Sequence, residues 1–211
     1  MSIARKLYQV SNRLWLASRS NQQRKRMWPV PTKLEAQHLR GCELLESRDV
    51  MLESLPKNSV CAEVGIDKSE FSAKILQATH PSKLHLIDYS PWSIQNAKKK
   101  FVQEVAQGTI ETHLGDSGKL LQSFPNEYFD WVYIDGDHSY EGAKRDLEAT
   151  LQKLKPAGLI ALNDYIYFGS IDLVKYGVIE AVNEFCITHG FKLVFFALHS
   201  RMHNDVVLQR I

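Results

Sequence analysis

From Ser59 onward, short apolar runs alternate with stretches whose apolar positions recur every three or four residues. Val60–Val64, Leu84–Ile87, Thr109–Leu114, Phe129–Ile134 and Leu159–Leu162 read as strands. Between them, Phe71, Ile75 and Ala78 share one helical face, as do Ile94, Ala97, Phe101 and Val105, and then Tyr140, Ala143, Leu147, Leu151 and Leu154. A short helix is expected near Gly118–Ser123. Ser90 is suited to cap the long helix that follows it and Pro91 to occupy its first turn. Strands separated by helices need crossover connections, so the sheet is parallel and covered on both faces.

The last part of the chain breaks this rhythm. A helix is expected over about 172–186, then strands at Phe191–Ala197 and Asp205–Leu208. The short polar loop between those strands cannot hold a crossover helix, so they pair antiparallel. The pattern predicts a doubly wound, Rossmann-like α/β fold. Its sheet is mostly parallel and seven-stranded, with one antiparallel strand near the C-terminus.

The first 56 residues carry a weaker pattern and read as an N-terminal helical extension to a domain spanning 57–211. Leu7, Val10, Leu14 and Ala17 suggest a short amphipathic helix, Pro29 and Pro31 interrupt it, and Leu34, Leu39, Cys42, Leu45 and Leu52 suggest a second helix over about 33–55. Such an extension can cover a sheet face, cap a pocket or form a homodimer interface.

Composition narrows the class without naming a partner. A 211-residue chain with 44% hydrophobic and 24% charged residues has the balance of an ordinary globular domain. The net charge of +2 is small, although residues 1–50 hold ten Lys or Arg against four Asp or Glu. A basic run such as Arg24-Lys25-Arg26 is more commonly a solvated surface than a nucleic-acid site. Three scattered cysteines, Cys42, Cys61 and Cys186, form no metal-binding pair and fit a reducing compartment. With no apolar stretch long enough to cross a bilayer and no signal-like segment, the cytoplasm is the default expectation.

The candidate chemistry lies at the strand ends. Glu63, Asp88, Asp116, Asp135 and Asp164 each fall near the carboxyl end of one of the first five strands, the edge that faces the ligand crevice in open α/β sheets. Asp88 lies 23 positions after Gly65, where a carboxylate can accept hydrogen bonds from both hydroxyls of a ribose. The turn Gly65-Ile66-Asp67-Lys68-Ser69 lacks the further glycines of a dinucleotide fingerprint, and Ser69 is a candidate helix cap. Asp116 and Ser117 can face a base or ribose edge. The densest group is Asp135-Gly136-Asp137-His138-Ser139 together with Asn163-Asp164, an oxygen-rich set that suits a hard divalent ion. His138 is a candidate general base, because histidine titrates near neutrality.

These pieces, in this order, resemble class I S-adenosylmethionine-dependent methyltransferases, most nearly the small-molecule O-methyltransferase branch. The resemblance rests on Glu63-Val64-Gly65, Leu86-Ile87-Asp88, Gly115-Asp116-Ser117, Phe129 through His138, and Leu154 through Ile160. It implies S-adenosylmethionine as cofactor, with Glu63, Gly65 and Asp67 around its methionine part, Asp88 at the ribose, and Asp116 with Ser117 at the adenine. It also implies Mg2+ or another divalent cation at Asp135, Asn163 and Asp164, and His138 with Asp135 as the catalytic pair. Trp92, Tyr140 and Tyr165 are candidate aromatic walls for a small-molecule acceptor. The expected reaction is methyl transfer to a hydroxyl. An N-methyltransferase, a nicotinamide-dependent oxidoreductase and a non-catalytic cofactor-binding protein are the alternatives that the same residues allow.

Overall fold

The computed structural model describes residues 18, 20, 30–169 and 174–211. The helix expected over residues 4–17 and the run Arg24-Lys25-Arg26 lie outside them. Residues 33–211 form one compact unit. Its elements, in chain order, are α1 (Ala36–Leu39), β1 (Glu43–Leu45), α2 (Arg48–Ser54), β2 (Val60–Val64), α3 (Glu70–Thr79), β3 (Lys83–Asp88), α4 (Pro91–Lys100) and α5 (Val102–Ala106). They continue with β4 (Ile110–Leu114), α6 (Ser117–Ser123), β5 (Phe129–Ile134), α7 (Tyr140–Thr150), β6 (Leu154–Leu162), α8 (Val178–His189), β7 (Phe191–Ala197) and β8 (Asp205–Arg210).

The sheet has eight strands in the order β1-β7-β8-β6-β5-β2-β3-β4. β8 runs antiparallel to both its neighbours, and every other pairing is parallel. The Rossmann-like reading therefore holds, with eight strands in place of the expected seven. The extra strand is β1, which pairs with β7 through Leu45 and Ala197. It arises where one helix was expected over 33–55. Gly41, at φ +78°, turns the chain after α1, and the leucines beyond it extend along the sheet edge, Leu44 outward and Leu45 against β7.

Alternation along each strand separates two apolar layers. Ala62, Val64, Val132, Ile134, Ile160 and Leu162 face α6, α7 and α8 through Leu121, Ala143, Leu147, Val182 and Phe185. Cys61, Leu84, Leu86, Trp131, Tyr133 and Ala161 face α2, α3 and α4 through Met51, Leu52, Ile75, Ile94 and Ala97. Cys61 and Cys186 are accordingly buried thiols, and burial pushes the Cys186 thiol up to about 12.

Two helix boundaries differ from the periodicity. The stripe expected to run unbroken to Val105 is interrupted at Phe101, which leaves the helical region at φ −115° and ψ 45° between α4 and α5. The helix expected from about 172 starts at Val178. Its N-cap residue, Gly177, packs so closely on the Tyr140 backbone that a Cβ there would collide with it, and the Gly177 N–H donates to the His138 carbonyl at 2.8 Å. That contact fixes the segment before α8 over the start of α7. No helix among the described residues is long and apolar enough to cross a membrane.

Candidate functional site

The carboxyl ends of β2, β3, β4 and β5 open onto a crevice of about 780 Å³. Its lining includes Gly65, Asp67, Asp88, Trp92, Asp116, Ser117, Asp135 and His138, so most of the residues singled out in the sequence meet in one place. The volume is of the size that small-molecule sites take.

Asp88 closes β3 with both oxygens oriented by backbone. Oδ2 accepts from the Ile66 N–H at 2.9 Å and Oδ1 from the Ser90 N–H at 2.8 Å. Each oxygen keeps a lone pair for a further donor, which is what a pair of ribose hydroxyls requires. Ser90 also caps α4, accepting from the Ser93 N–H, with Pro91 in the first turn as expected. Trp92 and the exposed Tyr89 stand at the crevice mouth.

The loop after β2 is shaped by packing. Gly65 has φ +81°, and a Cβ on it would collide with the Asp135 carbonyl, so the glycine allows β2 and β5 to close together at the crevice floor. Ser69 does not act as the expected side-chain cap: it sits at the N-cap of α3 in a left-handed conformation, φ 58°, and makes no cap hydrogen bond. Glu63 does not line the crevice. It is 1% exposed beneath it, and burial pushes its carboxyl up to about 8 in spite of the nearby Ser72 hydroxyl and Arg48.

On the β4 side, Asp116 caps α6 by accepting from the Lys119 N–H at 2.9 Å, and the Ser117 hydroxyl donates to Asp146 at 2.7 Å. Burial raises the Asp146 carboxyl above its usual range. Asp137 accepts from the Ser139 N–H, which holds its carboxyl below the usual range, and Ser139 caps α7 through the Gly142 N–H.

At the β5–β6 end, Asp135, His138 and Asp164 bring one ligand atom each to within 4.8 Å of one another. His138 Nε2 lies 3.9 Å from Asp135 Oδ1 and 3.6 Å from Asp164 Oδ2. The His138 ring stacks on Tyr176, centroids 4.7 Å apart at an interplanar angle of 10°. Asn163 is beside this group with its oxygen otherwise engaged: Oδ1 accepts from the Arg48 guanidinium and from the Asp164 N–H, while Nδ2 donates to Asp135 Oδ1 at 2.8 Å. Tyr140 and Tyr165 do not line the crevice, and their hydroxyls turn to Glu184 and Asn183 on α8.

Four participants were not among the residues singled out in the sequence. Arg48, the first residue of α2, places its Nε 2.9 Å from Asp205 Oδ2, and its guanidinium lies 4.9 Å from the Phe71 ring centre. Asp205, at the start of β8, also accepts from the Tyr133 hydroxyl at 2.8 Å. Burial, opposed by Arg48, sets the Asp205 carboxyl at about 6. His203 Nδ1 meets Asp164 Oδ1 at 2.7 Å, and Tyr176 packs beside its ring. The spacing His199-x-x-x-His203 before the last strand is a signal that could have found His203; Arg48, Asp205 and Tyr176 have none.

This arrangement agrees with what the chain is similar to. Residues 63–165 match the family model described as a methyltransferase domain. The match, on this fold, supports an enzyme of the S-adenosylmethionine-dependent methyltransferase class. Among solved structures, the domain is similar to the tRNA methyltransferase TrmK of B. subtilis, with a TM-score of 0.59 and 15% identity over 79% of this chain and 67% of that one. A SAM-dependent methyltransferase from Aquifex aeolicus gives 0.58 and 14%, over 77% and 87% of the two chains. The pyocyanin biosynthetic protein PhzM gives 0.56 and 16%, over 74% and 51%. At these identities the likeness is one of fold. No curated protein matches the chain by sequence.

Proposed function

We propose that the protein transfers the methyl group of S-adenosylmethionine to a hydroxyl of a small organic acceptor, with a divalent cation beside His138. The observation that carries this reading is the convergence of Asp135 and His138, which line the crevice, with Asp164. Two carboxylates with no thiol suit a hard ion. The surroundings also favour a cation, because Asp164 and Asp205 lie near Asp135 and the Arg48 guanidinium is already paired with Asp205. Burial, with Asp164 and Asp205 nearby, pushes the Asp135 carboxyl up to about 7, against Asn163 and Arg48. Asp135 and Asp164 are the proposed ligands, and Asn163 positions Asp135 through its amide group. Asp164 is itself oriented by His203.

When bound, S-adenosylmethionine would supply an electrophilic methyl carbon, and a cation held by Asp135 and Asp164 would lower the pKa of the acceptor hydroxyl. The chain's own work is alignment and proton removal. Asp88, fixed by two backbone N–H groups, orients the ribose, and Asp67, Asp116 and Trp92 border the remaining cofactor surface. His138, held flat against Tyr176, takes the acceptor proton at Nε2.

The test is methyl transfer over a panel of small hydroxyl and amine acceptors and bulk tRNA, with Mg2+ and with chelator. The expected result is transfer to a small hydroxyl that chelator suppresses and that His138→Ala slows by about 10²-fold or more. Chelator-insensitive transfer to amines, or transfer to tRNA alone, would replace the hydroxyl assignment. Full activity in both His138→Ala and Asp135→Asn would remove these residues from the chemistry.

A further inference from the structure

A second group of ligand-type side chains lies away from the crevice, on the β3–β4 edge of the sheet. His85 on β3 and Glu111 and His113 on β4 bring one ligand atom each to within 4.8 Å of one another. His85 Nδ1 and His113 Nε2 are 2.9 Å apart, and the nearer Glu111 oxygen is 3.8 Å from His113 Nε2. From these contacts we propose that His85, Glu111 and His113 form a binding site for a borderline divalent transition ion of the Zn2+ class, distinct from the crevice.

The donor set sets the selectivity. Two imidazoles and one carboxylate match tetrahedral Zn2+ with water as fourth ligand, whereas Mg2+ takes oxygen donors in octahedral geometry. Burial, then His113, lowers His85 to about 4, and burial lowers His113, the direction that favours free imidazole lone pairs. His85 is 2% exposed and oriented from behind, with Nε2 3.0 Å from the Tyr128 hydroxyl. With its proton on Nε2, donated to Tyr128, His85 turns the Nδ1 lone pair toward His113. Phe124 and Phe129 pack edge-on against the His85 ring and hold that orientation. Glu111 is 51% exposed, its other oxygen paired with Lys83 at 2.9 Å, so it supplies the mobile and hydrated side of the site.

Loading needs small movements. Tetrahedral Zn–N bonds of about 2.0–2.1 Å separate two nitrogens by about 3.3 Å, so the imidazoles part slightly and His113 carries its proton on Nδ1. The bound ion would tie β4 to β3 at His113, two residues before Gly115 and three before Asp116 in the crevice wall. The site thus offers a structural clamp behind the floor that carries Asp116.

The experiment is a Zn2+ titration of the chelator-treated, dialysed full chain in excess Mg2+, read by equilibrium dialysis and by the rise in Tm. Wild type is compared with His113→Gln, Glu111→Gln and the crevice variant Asp164→Asn. The expected result is saturable Zn2+ binding in wild type and Asp164→Asn, weakened by about tenfold or more in His113→Gln and Glu111→Gln, with the Zn2+-dependent rise in Tm lost in both. Glu111 is a surface position, so its variant reads the site even if His113→Gln unfolds. No Zn2+ retention in excess Mg2+, or retention that is equal in the β4 variants and lost in Asp164→Asn, overturns the proposal.

Discussion

At Gly65 the backbone takes φ +81° against the Asp135 carbonyl, which leaves no room for a Cβ. The sequence pointed to this glycine for its approach to a cofactor; the structure adds that β5 requires it even without one. Gly65→Ala is therefore expected to lower stability by about 2 kcal/mol or more, measured by denaturant unfolding, with a loss of cofactor binding that follows from the displaced floor. Glu63 makes a different prediction. Its carboxyl, near 4.5 ordinarily, is raised to about 8 by burial. Between those values the folded chain holds a proton that the unfolded chain releases, so this group makes stability fall as pH rises from about 4.5 to 8 and then level off. Glu63→Gln removes that slope. Relative to wild type at the same pH, the variant should gain on the order of 1–3 kcal/mol between pH 5 and pH 8, read from unfolding curves at both. An unchanged pH dependence would show that Glu63 is ionised where it sits. Asp88, Asp135 and His138 were legible because each follows an apolar run at a strand end. Arg48, Asp205 and Tyr176 were not, because each reaches the site through packing between segments distant in sequence.

At the scale of elements, local chemistry was a good guide where one signal acted alone. Ser90-Pro91 starts α4 as its residue types demand, and Ser90→Ala is expected to cost about 1 kcal/mol in thermal or denaturant unfolding through the lost Ser93 cap. The same change leaves the Ser90 N–H, which Asp88 uses, in place. Local signals failed where long-range contacts competed. The leucines near residue 45 fit a helical stripe about as well as a strand, and only the free edge of β7 decides between them. The late start of α8 likewise reflects Gly177 meeting the backbone of Tyr140, a contact between elements that no periodicity encodes. Ser69 has the residue type of a cap in a conformation that prevents capping.

For the whole molecule, the alternation of strand and helix was enough to give a doubly wound sheet, because parallel pairing forces crossovers and crossovers cover both faces. The reversed β8 was legible for the converse reason, a connection too short for a helix. Its position was not: β8 inserts between β6 and β7, which brings His203 to Asp164 and Asp205 to Arg48. The terminal strands therefore build part of the site that the first five strands begin. A crevice lined from Asp88 at β3 to Asp135 and His138 after β5 is the basis for the cofactor assignment, and Asp88 is the group on which it depends most. Calorimetric titration of the full chain with S-adenosylhomocysteine, wild type against Asp88→Ala, tests this most directly. The account predicts saturable one-site binding to wild type, weakened by about tenfold or more in a variant that still melts cooperatively; no binding to wild type, or equal affinity in the two proteins, would contradict it.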